Sequence, residues 1–188
     1  TLVGMREFVF TRAIQQTTAQ TEPTAKGFVI PEVEGVSEGL NAARSSLSDG
    51  NLVRSMEQYA KLIHSGQDLE LVAEDLRETT YRFPKDVDVW QNLGDVYLRL
   101  DRIQEAIQAF LLAAELYIKN QESEKALENW VRVTQLDAEH IPARTYLAMV
   151  HERVGHASQA ATEYLAVASL QQRAGKADKA GEMIGRAL

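Results

Sequence analysis

Residues 87–120 read VDVWQNLGDVYLRLDRIQEAIQAFLLAAELYIKN. On either side of Asp101 the apolar residues recur three and four apart, the spacing that puts them on one face of a helix. The stretch therefore predicts two helices joined by a short turn. Gly94 in the first and Ala106 in the second are small, and they stand where a helix hairpin needs close approach. Trp90, Tyr97, Phe110 and Tyr117 are large and fill the wider spaces, each burying a large area. Pro84 lies just upstream, at a helix start, where proline is tolerated.

Outward from this hairpin the pattern continues from about Glu34 to Leu188. Helices are expected near 36–48, 52–64, 68–82, 87–100, 103–119, 122–136, 141–154, 157–174 and 177–188. No strand alternation of useful length interrupts them. Connections of two to six residues imply antiparallel neighbours. The fold class is all-α.

The chain also repeats itself. Residues 87–134 laid over 141–188, an offset of 54, give eleven identities in 48 positions, among them Leu93/Leu147, Ala106/Ala160 and Arg132/Arg186. Phe110/Tyr164 is a conservative match. The offset spans three helices, so the expected unit is a helix triplet. One such unit cannot bury its apolar stripe alone, and stacked units form a solenoid. The expected divisions are a divergent N-terminal unit over 34–86, a triplet over 87–140 and a second, truncated triplet over 141–188.

Trp90, Leu93, Gly94, Tyr97, Ala106, Phe110 and Ala113 stand at the spacing of a tetratricopeptide repeat, and here the chain resembles that family. A second match begins at Ile141 with Leu147, Ala148, Gly155, Ala160, Tyr164 and Val167, with Arg144 in place of the tryptophan. Further matches start at 107 and 161, so the starts are 20, 34 and 20 residues apart and the array is irregular. The resemblance implies a right-handed helical solenoid and a function in binding protein. The first helix of each repeat would line a groove that holds a peptide or a partner helix. Carried over by position, the groove residues are Asp88, Gln91, Asp95, Leu98 and Arg99, then Thr145, Met149, Glu152 and Arg153. Chaperone-binding members clamp a C-terminal carboxylate with basic and asparagine side chains. Gln91 and Asp95 occupy two of those positions, which disfavours carboxylate capture and suits a basic or mixed-charge ligand.

Composition excludes several chemistries. The 188 residues are 45% hydrophobic and 25% charged, an ordinary globular mix, with no cysteine. That removes disulfides, thiolate metal sites and a cysteine nucleophile. The net charge of −7 argues against nucleic acid, whose binding rests on phosphate neutralisation. Residues 84–140 carry −5 and 141–188 carry +2, so an acidic middle could attract a basic segment. No apolar run approaches the ~20 residues of a membrane helix. No phosphate-binding glycine motif or nucleophile elbow occurs. His151 and His156 lie five apart, whereas a helical zinc pair needs four. Acidic pairs such as Asp86/Asp88 and Glu122/Glu124 fit the positive ends of helix dipoles. The expectation is a protein with no enzymatic activity, cofactor or metal.

Residues 1–33 differ from the rest. TLVGMREFVF carries Leu2, Met5, Phe8, Val9 and Phe10, and TRAIQQTTAQTEPTAK over 11–26 reads as a linker. Exposing each such apolar side chain costs roughly 1.5–3 kcal/mol relative to burial. Phe8 and Phe10 are therefore expected to dock, on this solenoid, on a second copy in a homo-oligomer, or on a partner. The chain begins at Thr1 and ends in a helical pattern, as an excerpt would. The expected role is a scaffold or adaptor in a larger bacterial-type protein, cytoplasmic by default. The alternative is a regulatory or sensor segment of a multidomain signalling or transcription protein.

Overall fold

The computed structural model describes residues 36–188, all helix and turn. Among them are nine helices: α1 (Glu38–Ser48), α2 (Leu52–Ser65), α3 (Leu69–Arg82), α4 (Val87–Arg99), α5 (Ile103–Lys119), α6 (Ser123–Leu136), α7 (Ile141–Val154), α8 (Ala157–Arg173) and α9 (Ala177–Ala187). These match the periodicity to within a residue or two at each end. The segment with Phe8 and Phe10 lies outside the described residues.

Local chemistry sets the helix ends. Ser37, Asn51 and Asp86 cap α1, α2 and α4, their side-chain oxygens accepting from the backbone N–H three residues on. Each satisfies one of the donors that a helix start leaves unpaired. His140 does the same for α7 through Nδ1, and Pro142 follows inside the first turn. Most of the helices end in a shared way; α3 and α6 do not. Gly66, Asp101, Gln121, Gly155 and Gly175 all have positive φ. The next residue's N–H returns to a carbonyl of the last turn, as in Gln67 to Leu62, Arg102 to Tyr97 and Glu122 to Tyr117. This left-handed exit reverses the chain within two or three residues and makes neighbours antiparallel.

Contacts between alternate helices sort them into two layers. Arg44 of α1 pairs with Asp75 of α3, and Glu152 of α7 with Arg186 of α9. On the other side Asn92 of α4 donates to the Met56 carbonyl of α2 at 3.0 Å, and Arg132 of α6 pairs with Asp95 of α4. The even helices start at Leu52, Val87, Ser123 and Ala157, which are 35, 36 and 34 residues apart. A two-helix period thus runs through the array beneath the 54-residue similarity. Stepping by three helices exchanges the layers. This is why α4 and α7, which look equivalent in sequence, do not face the same way.

The core fills the space between the layers. Tyr59, Phe110, Tyr164, Leu40, Leu76 and Ile107 are fully buried. Trp130 stacks on Tyr146 across α6 and α7, with ring centroids 4.7 Å apart and planes 4° from parallel. Trp90 is only half-buried, and its Nε1 donates to the Pro84 carbonyl at 3.0 Å. Gly94 makes its closest approach to the Phe110 ring.

Candidate functional site

A cleft of about 270 Å³ opens between α2 and α4. Ala60, Ile63 and His64 line it from α2, and Asn92, Asp95, Leu98 and Arg99 from α4. Two features of α4 build it. Gly94 lets the Phe110 ring seat directly against the helix. Asn92, nine-tenths buried, spends its amide on the Met56 carbonyl and so fixes the spacing between α2 and α4.

The charges of the cleft are unequal in freedom. Asp95 accepts from Arg132, whose guanidinium also lies 4.0 Å from the centroid of the Phe110 ring. Its carboxylate is therefore matched by a cation that packing holds in place. The Arg99 guanidinium has no hydrogen bond or ion pair among the described residues. Its Nη2 lies 3.1 Å from where a Cβ on Gly66 would stand, so the guanidinium rests over the turn between α2 and α3. His64 is exposed at the end of α2.

The structure brings together three of the five residues expected on α4: Asp95, Leu98 and Arg99. Asp88 and Gln91 lie outside the lining. Asp88 is exposed near the start of α4, and its carboxyl is pushed up by partial desolvation and then by the negative charge of Asp86. The α7 set does not reach this cleft. Thr145 Oγ1 donates to the Ile141 carbonyl at 2.9 Å, and Met149 packs on a separate C-terminal cluster. Glu152 accepts from Tyr164 Oη at 2.5 Å and from Arg186 at 2.9 Å. Those two partners hold its carboxyl below the usual range, the tyrosine hydrogen bond first. Arg153 is exposed. Position-by-position transfer missed Ala60, Ile63, His64 and Asn92. The signal for α2 was a spacing: Ala60 and His64 precede Asp95 and Arg99 by 35 residues, one two-helix period.

Among the described residues, no three His, Cys, Asp or Glu side chains are grouped to hold a metal ion. No described helix is long and apolar enough to cross a membrane.

The family described as tetratricopeptide repeat matches residues 87–120, which are α4, α5 and the turn between them. The chain carries a tetratricopeptide repeat. The wall of the cleft formed by α4 is the first helix of that repeat. Among solved structures the chain is similar to MamA, at 14% identity and TM-score 0.30, covering 77% of this chain and 91% of that one. It is similar also to YrrB, described as a TPR protein with an unusual peptide-binding site. There the identity is 17% and the TM-score 0.30, covering 95% of this chain and 90% of that one. A third is the Cut9–Hcn1 hetero-tetramer of the APC/C, at 16% and 0.35, covering 80% of this chain and 35% of that one. No curated protein matches the sequence.

Proposed function

We propose that the chain is a non-catalytic scaffold that holds a peptide segment of a partner protein in the cleft between α2 and α4. The observation that carries this is the composition of the cleft. Ala60, Ile63 and Leu98 supply apolar surface, while Asn92 on one side and His64 with Arg99 two helical turns further along add polar groups. A few polar groups around an apolar surface orient a ligand while burial supplies affinity. The tetratricopeptide repeat that contributes α4 supports the same reading. Nothing in the cleft resembles a nucleophile with its base, so binding without turnover is the chemistry the side chains favour.

Random twelve-residue peptides displayed on phage and selected against the full chain test the reading. Selected peptides should lose binding to the Leu98→Asp variant, in which a charge replaces apolar surface. They should keep binding to Val154→Asp, where an exposed residue at the end of α7 is changed. A selection in which no binder depends on Leu98 would overturn the cleft as the ligand site.

A further inference from the structure

We infer that the α2–α4 cleft takes an acidic segment of a partner protein, with a carboxylate side chain seated on Arg99 and an adjacent aliphatic side chain against Ile63 and Leu98. This rests on the reading of that cleft as the ligand site, and it reverses the charge that the sequence of α4 suggests.

Asp95 made a basic ligand the natural expectation. Asp95 is the one carboxylate in the lining, and Arg132 already occupies it. Arg132, on Asp95 Oδ1 and against the face of Phe110, offsets the negative charge that would attract a basic ligand. With that pair closed, the charge left unmatched in the cleft is the guanidinium of Arg99. His64, on the opposing wall, offers ring nitrogens that hydrogen-bond an oxygen acceptor in either protonation state.

The surroundings of Arg99 also suit an anion. Gly66 adopts φ +78° and has no side chain, so the guanidinium settles over the turn at the end of α2. The carbonyl end of α2 attracts a cation without neutralising it. The planar fork of the guanidinium accommodates both oxygens of a carboxylate. The net charge of −7 does not oppose this. At physiological ionic strength charges beyond about 8 Å are screened, so the nearby guanidinium outweighs the distant excess of acids.

Three fluorescein-labelled pools of nine-residue peptides provide the test. Each is random except for a central Leu-Glu-Leu, Leu-Gln-Leu or Leu-Lys-Leu. Binding to the full chain is read by fluorescence anisotropy at 0.15 M salt. The Glu pool should bind about tenfold more tightly than the Gln pool, and more tightly again than the Lys pool. Arg99→Gln should erase the difference between Glu and Gln. Arg153→Gln, which alters an exposed arginine on α7, should preserve it, and circular dichroism should show both variants folded. Equal or tighter binding of the Gln or Lys pool, still abolished by Leu98→Asp, would overturn the acidic preference while leaving the cleft as a peptide site. Failure of every pool to show Leu98-dependent binding would count against the cleft itself.

Discussion

The Cβ that Gly94 lacks would stand 2.4 Å from Cε1 of Phe110, inside the van der Waals surface of the ring. Phe110 is fully buried and cannot swing away into solvent. Gly94→Ala should therefore destabilise the chain by about 1–3 kcal/mol, the usual cost of overfilling a packed core. Urea unfolding measures it. Combining Gly94→Ala with Phe110→Leu should restore part of the loss, because the smaller side chain vacates the contact. A strictly additive double variant would show that the ring is not what excludes the methyl group.

The Arg44–Asp75 pair makes a second prediction. Arg44 Nε and Nη2 donate to Asp75 at 2.7 and 3.1 Å, and Tyr59 Oη donates to the same carboxylate at 3.0 Å. Burial against that negative charge pushes the Tyr59 hydroxyl well above its ordinary pKa, so it remains a donor at any physiological pH. Asp75→Leu strands a guanidinium only 11% exposed, and should cost about 3–5 kcal/mol. The double variant Arg44→Met, Asp75→Leu should recover much of that loss in the same unfolding assay, since both charges are then gone.

Gln121 holds φ +67° at the end of α5, a conformation that side chains disfavour by about 1–2 kcal/mol. Gln121→Gly should raise stability by about 0.5–1 kcal/mol, once the greater freedom of unfolded glycine is set against the relief. The converse change, Gly175→Gln at φ +70°, should lower it by a similar amount. Thermal melting of the two variants checks both signs.

His140 predicts a pH dependence. Its Nδ1 accepts the Ala143 N–H at 3.2 Å, which requires the neutral ring. Burial pushes its pKa below the ordinary value, with Asp137 partly opposing. A pKa lowered by folding means the stability it supports is complete above the unfolded value, about 6.5, and declines as pH falls toward the folded one. His140→Asn supplies a cap that does not titrate. The difference in urea midpoint between wild type and variant should be constant above pH 7 and move in favour of the variant by pH 5.5. A difference independent of pH would refute the role of the imidazole.

The helices were legible because periodicity, caps and turn residues agreed. Gly66, Gly155 and Gly175 mark left-handed exits openly, whereas Asp101 and Gln121 do the same work without a glycine to announce it. The site was legible only in part. Asp95, Leu98 and Arg99 were found through the repeat that Trp90, Gly94 and Phe110 reveal. His64 and Ile63 were not, because α2 carries Ser55 and Tyr59 where α4 has the marker residues Trp90 and Gly94. The sign of the charge was hidden for a different reason. Only a folded α6 brings Arg132 to Asp95, 37 positions away. The α7 residues were misleading because identities such as Leu93/Leu147 record a shared packing pattern, and packing is blind to which layer a helix occupies.

The buried side chains fall into two clusters, and α7 is where they part. Ala143 and Leu147 belong to the large cluster that reaches back to Leu40, while Ala148 belongs to a small one with Tyr164, Val167, Ala168, Ala180 and Met183. Cooperativity travels through shared burial, so the small cluster can open without the large one. Amide hydrogens of α8 and α9 should then exchange through a partial opening, with little dependence on denaturant. Those of α4 and α5 should wait for global unfolding. The far end of the array should then open as a separate leaf and leave the α2–α4 cleft undisturbed.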